Sequence, residues 1–217
     1  MKFSTSKTEL QNVLQKLSKA VPTRSTLPIL GCVLFKASEE KTILRATDLE
    51  ITIIAEIPVS IEEPGSAAIP LKTLLDITNE LPETRITLIV DSDNKIELRT
   101  ETGVYDLMGK PANEFPSIPD TSDGKELSMN SQLFKSVIES TVFAVSRDDL
   151  KPALTGVLFR FNKNNLTAVS TDGHRLVKHI RKDFVSTGFV GDVIVPKKFL
   201  NYMILQLASS NDDVGLI

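Results

Sequence analysis

The chain has no tryptophan, two tyrosines, two histidines and one cysteine in 217 residues, and aromatic residues make up 6% of it. With two tyrosines and no tryptophan there is little to stack bases, which argues against a protein that grips single-stranded nucleic acid on aromatic side chains. The lone Cys32 allows no disulfide within the chain. It sits in the apolar run Ile29-Leu30-Gly31-Cys32-Val33-Leu34-Phe35 and reads as a buried, reduced, cytosolic thiol. His174 and His179, with one cysteine, offer no metal shell, and no cofactor is implied. Gly-x-Ser-x-Gly, a phosphate-cradling glycine loop and His-x-x-x-His spacing are all absent. Met1-Lys2-Phe3-Ser4 lacks an apolar signal core, and no run reaches the ~18 apolar residues a membrane span needs. A cytoplasmic protein with no membrane contact is expected.

What remains is an ordinary globular composition, 41% hydrophobic and 24% charged. The net charge of −3 argues against a surface that coats nucleic acid throughout, but permits a local basic face. The strongest positive signal is an internal repeat. Displaced by 124 positions, Pro28, Leu30, Val33, Leu34 and Phe35 fall on Pro152, Leu154, Val157, Leu158 and Phe159, and Thr47-Asp48 on Thr171-Asp172. Two further residues bring Ile69-Pro70 onto Val195-Pro196, Lys72 onto Lys198 and Leu74 onto Leu200. A period this long means two copies of a whole domain. Domains of 1–120 and 121–217 are expected, joined through the proline-rich stretch Lys110 to Asp120. Ile86-Thr87-Leu88 answers to Val214-Gly215-Leu216, and nothing in the second copy answers to Val90–Pro119. The second domain therefore reads as truncated before its last strands, and the chain as a fragment of a longer protein.

Each copy reads helix, strands, helix, strands, an α+β class with two helices packed on antiparallel sheets. Ser6-Lys7-Thr8-Glu9 is a capping box, followed by an apolar stripe of Leu10, Val13, Leu14, Leu17 and Val21. Asn130 and the stripe Phe134, Val137, Ile138, Thr141 and Val145 repeat it. Second helices are expected to open with Pro70 and Pro196 in the first turn. Strands are expected at 32–36, 42–46, 51–57, 86–90, 95–99, 104–107, 157–161, 166–170 and 176–180, with a hairpin turn at Asp172-Gly173.

Two chemistries can be weighed on these residues. Asp172, His174 and Asp48 could form an acid–base set with Ser170 as nucleophile, making a hydrolase or transferase. An Asp-Gly turn explains the same residues more simply, and no catalytic residue is assigned. The basic residues are more suggestive. Arg24, Lys72, Arg147, Lys151, Lys197 and Lys198 recur at equivalent places after the first helix and at the start of the second. Sequence-independent DNA binding uses such an arrangement, neutralising phosphates without reading bases.

Thr26-Leu27-Pro28-Ile29-Leu30-Gly31, Thr47-Asp48-Leu49-Glu50, Glu114-Phe115-Pro116 and Thr171-Asp172-Gly173-His174-Arg175-Leu176 resemble the bacterial DNA polymerase III β subunit family of sliding clamps. The resemblance runs in register along the chain and implies the DNA clamp fold, three such domains per subunit, and a head-to-tail homodimeric ring. The chain resembles the first domain and most of the second, with the third absent. The implied role is a non-catalytic processivity factor that encircles double-stranded DNA. It would tether the replicative polymerase, the clamp loader and repair proteins through short peptides. By position, Arg24, Lys72, Lys197 and Lys198 would face DNA, with Arg147 and Lys151 in or beside a DNA-touching loop. Lys151, Leu154, Thr171, Gly173, His174, Arg175 and Leu176 would line the peptide pocket. Thr73, Tyr105 and Leu107 would form the dimer edge.

Overall fold

The computed structural model describes residues 1–22, 24–39, 41–117, 126–148, 150–186, 188–207 and 212–216. The chain divides into two compact units, Met1–Ile118 and Pro119–Ile217. The boundary expected at 120/121 lies outside the described residues.

The first unit begins with β1 (Lys2–Ser6) and α1 (Lys7–Leu17). Four strands follow, β2 (Cys32–Ala37), β3 (Thr42–Thr47), β4 (Thr52–Ile57) and β5 (Ser60–Glu63). Then come β6 (Gly65–Pro70), α2 (Leu71–Glu80), β7 (Arg85–Val90), β8 (Lys95–Arg99) and β9 (Val104–Met108). They form two antiparallel sheets, ordered β5-β1-β7-β8-β9 and β4-β3-β2-β6. Phe3 from one sheet stacks on Phe35 from the other with ring centroids 6.0 Å apart, and both are fully buried. The helix α1 packs against α2 and β4, burying Leu10, Val13, Leu14 and Leu17.

The second unit repeats the plan with β10 (Leu127–Asn130), α3 (Ser131–Glu139), β11 (Gly156–Asn162), β12 (Asn165–Thr171) and β13 (Leu176–Arg181). It continues through β14 (Gly191–Pro196), α4 (Lys197–Leu207) and β15 (Asp213–Leu216). Its sheets are β13-β12-β11-β14 and β10-β15. Within its core Phe159 stacks on Phe161 with centroids 6.2 Å apart, and Phe134 meets Phe159 tilted at 5.8 Å.

Both expected caps are present. Ser6 Oγ accepts from the Glu9 backbone N–H at 3.1 Å, and Asn130 Oδ1 accepts from Gln132 and Leu133. Each removes an orphan donor from a helix start. The apolar stripes, however, outrun the helices. The helix α1 stops at Leu17, a 3-10 turn occupies Ser18–Ala20, and Val21 is already extended. Likewise Thr141 and Val145 lie past α3, although both are buried. A stripe marks burial, and the tighter turn keeps those side chains turned inward after the α-helix ends.

Nor do the prolines open helices. Pro70 ends β6 opposite Cys32, with ψ near 114° as N-cap to α2, and Pro196 ends β14 opposite Gly156. A proline has no N–H to give to a ladder, so the last residue of an edge strand suits it. The strands β1, β5, β6, β10 and β14 are not marked by alternation. They are short or mixed in polarity, and β1 is recognised by its pairing with β7, Phe3 opposite Leu88.

Replacing Phe159 with alanine is expected to cost about 3–5 kcal/mol, the range for truncating a fully packed aromatic. Urea unfolding with hydrogen exchange should show the loss, with lowered protection concentrated in β10–β15.

Candidate functional site

The repeated Thr-Asp pair builds the same loop twice. In the second unit β12 and β13 are joined by a four-residue loop, 172–175, with Thr171 opposite Leu176. The hairpin expected at Asp172-Gly173 is present, and β12 extends one residue past the expected strand, to Thr171. Asp172 Oδ1 accepts from the backbone N–H groups of His174 and Arg175, each at 3.0 Å. Thr171 Oγ1 donates to the Arg175 carbonyl at 2.7 Å and accepts from the Gly173 N–H. Gly173 has φ near +90°, a conformation glycine adopts without steric cost. In the first unit Asp48 Oδ1 accepts from Glu50 and Ile51, and Thr47 Oγ1 binds the Ile51 carbonyl and the Leu49 N–H. There Leu49 takes the left-handed position, at φ near +76°.

These bonds answer the catalytic reading. The Asp172 carboxylate is spent on backbone N–H groups and on Arg175 Nε at 2.9 Å, and it meets His174 through the main chain. Ser170 is buried and its hydroxyl donates to the Thr141 carbonyl at 2.6 Å. No nucleophile–base pair forms from Ser170, Asp172 and His174. The bonds from Arg175 and His174 N–H groups, with the Arg175 side chain, draw the Asp172 pKa down to about 2.

Arg175 also reaches outward. Its Nη2 donates to the Phe143 carbonyl at 2.9 Å, and its guanidinium carbon lies 5.8 Å from the centre of the Phe143 ring. Phe143 and Leu176 are both exposed. On the other side, the Ser146 N–H donates to the Leu154 carbonyl at 2.8 Å, and the Leu154 N–H to that of Lys151. The 143–146 segment is thereby tied both to Arg175 and to Leu154. Half-buried Leu154, exposed Leu176 and exposed Phe143 are the apolar groups of this surface. Thr171, Gly173, His174 and Arg175 supply its polar frame, and Lys151 stands exposed at its margin. Sequence reasoning missed Phe143, although it falls off the buried stripe of α3, which is the signal of an outward aromatic.

The basic residues occupy helix starts and loops. Lys72 is the second residue of α2, and Lys197 and Lys198 are the first two of α4. Neither helix has an acidic residue in its first turn. Arg24, Arg147 and Lys151 are exposed in loops. Among the described residues, the side chains of Arg24, Lys72, Arg147, Lys151 and Lys197 form no salt bridge. The paired cations Arg99, Arg160 and Arg181 lie on strands. Partial burial lowers the Lys198 ammonium below its ordinary pKa. Tyr105 and Leu107 are half-buried on β9, an edge strand of the five-stranded sheet, and Thr73 is exposed beside Lys72 on α2. No group of three His, Cys, Asp or Glu able to hold a metal occurs among the described residues.

Comparison with known proteins bears on both units. Residues 1–119 match the N-terminal domain of the DNA polymerase III beta subunit, and 128–217 match its central domain. A beta sliding clamp of Vibrio cholerae is 32% identical over 220 residues, covering 100% of this chain and 59% of its own length. One from Chlamydia muridarum is 30% identical, covering 97% of this chain and 57% of its own length. The crystal structure of the Bacillus subtilis DNA polymerase sliding clamp superposes with a TM-score of 0.92 at 29% identity, covering 100% of this chain and 59% of that one. The chain thus spans less than two thirds of the length of these relatives.

The Asp172 carboxyl is expected to titrate near pH 2 in a carbon-detected NMR titration. Its folded pKa lies below the unfolded value of about 3.9. The turn's contribution to stability is therefore fully present above about pH 4 and is lost as pH falls toward 2. An Asp172→Asn variant should lack that acid-range dependence.

Proposed function

The chain belongs to the DNA polymerase III beta subunit family, and from that membership we propose that it supplies the first and second domains of a sliding clamp. In this reading the assembled homodimer encircles double-stranded DNA without regard to sequence. It holds the replicative polymerase, the clamp loader and repair proteins by short peptides, and acts in the cytoplasm as a non-catalytic subunit of the polymerase holoenzyme. In this reading the domains are 1–120 and 121–217, and the ring edge is formed by Thr73, Tyr105 and Leu107.

The observation that carries the DNA reading is the placement of Lys72, Lys197 and Lys198 in the first turns of α2 and α4. A helix N-terminus already carries roughly half a positive charge, so lysine is unfavourable there and Asp or Glu is the usual choice. Placing cations there in both copies raises the local positive potential at the helix starts, which favours an anion. Phosphate oxygens fit that description. Arg24, Arg147 and Lys151, exposed and without carboxylate partners among the described residues, extend the same chemistry into the loops. Phosphate contacts of this kind carry no sequence information, so sliding is compatible with binding.

The peptide reading is supported by the surface formed by Phe143, Leu154 and Leu176 around the rigid 172–175 loop. Gly173 has no Cβ to keep a visiting backbone away, and Arg175 is fixed by Asp172 and the Phe143 carbonyl. A rigid polar frame around two or three apolar side chains suits a short peptide with aliphatic or aromatic anchors.

The test is binding of duplexes of unrelated sequence, read by fluorescence anisotropy at several salt concentrations. The chain itself should bind with Kd of about 10⁻⁴–10⁻⁶ M at physiological salt. Changing Arg24, Lys72, Lys197 and Lys198 to alanine should weaken all duplexes alike. It should also flatten the slope of log affinity against log salt by about 0.9 for each phosphate no longer neutralised. A weakening confined to one sequence would contradict nonspecific tracking. Leu176→Asp should reduce affinity for apolar peptides by about tenfold or more, since it places a charge among apolar anchors. It should leave duplex binding unchanged.

A further inference from the structure

The first unit holds a second, smaller apolar cluster away from its main core. Along β2, Cys32 and Leu34 alternate with Val33 and Phe35, and Ala68 of β6 stands opposite Leu34. Phe35 turns toward Phe3, so Cys32, Leu34 and Ala68 occupy the other face of their sheet. That face is covered by Ile29 and Leu30, from a 3-10 turn at Pro28–Gly31, and by Phe115, from the segment that follows β9.

Residues 111–117 lie over this face as a strap, and Gly109 is its root. The Gly109 N–H donates to the Asn94 carbonyl at 2.9 Å. A Cβ at Gly109 would stand 2.8 Å from Ile96 Cδ1 and 3.0 Å from the Ala68 carbonyl oxygen, so only glycine fits. Lys110 and Ala68 then exchange two backbone bonds, of 2.8 and 3.0 Å, at the outer edge of β6. Beyond that bridge, among the described residues, the strap's hydrogen bonds are its own. The Glu114 N–H donates to the Pro111 carbonyl and the Phe115 N–H to that of Ala112, each at 3.2 Å. Asn113, Glu114 and Ser117 are exposed, and Phe115 is the strap's one buried side chain. Cys32 lies buried in the same cluster. Burial pushes its thiol up from the ordinary value, and the Lys110 charge acts in the opposite direction.

We propose that residues 111–117 form a latch that releases as a unit while both sheets of the first unit stay closed. One aromatic side chain and one two-bond bridge hold it. A segment with so few attachments opens at a fraction of the free energy of global unfolding. Release uncovers the Cys32 thiol and the apolar seat of Phe115. It also turns a bound strap into free chain on the connection that leads toward β10. Seven freed residues add at most roughly 25 Å of reach. The docked Phe115 therefore sets the working length of that connection, and neither phosphate nor peptide is needed for the latch to work.

The test uses the intact 217-residue chain and two independent reporters. One is native-state hydrogen exchange at the Ala68 and Lys110 amides, the two donors of the bridge. The other is maleimide labelling of Cys32, the single thiol. In the unsubstituted chain both should proceed faster than exchange at the β7 and β8 amides. Both should also depend less steeply on urea, because opening a strap exposes less surface than unfolding. Phe115→Ala should speed both reporters by the same factor, at least about tenfold, and Phe115→Leu should fall between. Exchange at Ala68 and Lys110 with the urea dependence of the β7 and β8 amides would overturn the proposal, and the unsubstituted chain alone decides that point. So would unchanged rates in a folded Phe115→Ala variant, or faster Cys32 labelling without faster exchange at the bridge.

Discussion

Each unit is held closed by a strand pair between distant parts of its sequence, and the rest of its architecture hangs on that pair. In the first unit β1 joins β7, bringing Phe3 opposite Leu88 and Thr5 opposite Ile86. Closing a loop of that length costs on the order of 4 kcal/mol in chain entropy. Burying Phe3, Ile86 and Leu88 completely returns roughly 1.5–3 kcal/mol for each side chain, so the closure is favourable only because all three are covered. The intervening strands form the second sheet, and the Phe3–Phe35 stack locks one sheet to the other. In the second unit the equivalent pair is β10 with β15, with Leu127 opposite Leu216 and Met129 opposite Val214. The aromatic residues Phe134, Phe159 and Phe161 lie in that unit's core.

The Thr-Asp loops show how two copies of one device diverge. The side-chain oxygens of Thr and Asp satisfy the backbone N–H groups of the loop in both units, so the loop shape does not depend on what occupies the left-handed position. Glycine there costs nothing sterically, and Gly173 has open space around it. A leucine there costs roughly 1–2 kcal/mol, and Leu49 bears that cost while about 60% exposed. The second loop is thus the unstrained one. It is also the one whose Arg175 reaches the Phe143 carbonyl and ring. A ligand surface benefits from a frame that does not store strain and does not need to relax on binding.

Much of this was legible in the sequence where a physical signal is local. The caps Ser6 and Asn130, the buried faces of α1 and α3, and most central strands follow from side chains within a few residues of one another. The 124-position repeat carried the two-unit organisation, because homologous cores repeat the same apolar spacing. What was not legible depends on partners far along the chain. The strand β1 is a short mixed run whose identity comes from β7, and β6 is a small-residue strand whose identity comes from β2. Pro70 and Pro196 look like helix openers until the edge position of β6 and β14 is known. At the site, the Thr-Asp-Gly loop was readable as a turn. The bond from Arg175 to the Phe143 carbonyl joins residues far apart in sequence and has no local signature.

The charge pattern links the fold to the proposed role. Net charge is −3, so a random distribution of these residues would repel DNA rather than hold it. Attraction therefore requires segregation, and the structure supplies a mechanism for it. The strand cations Arg99, Arg160 and Arg181 are each neutralised by a carboxylate two residues away or on the adjacent strand. Such exposed pairs contribute little to stability, but they remove those cations from the field that reaches solvent. The lysines at the starts of α2 and α4 sit where the first turn holds no acid and where the helix dipole adds to their charge. Within a Debye length of about 8 Å at physiological salt, a phosphate meets those helix starts rather than the average of the whole surface. In the proposed role, the helix ends of a mildly acidic protein would supply the attraction for DNA, and a few such cations would hold a duplex weakly enough to let it move.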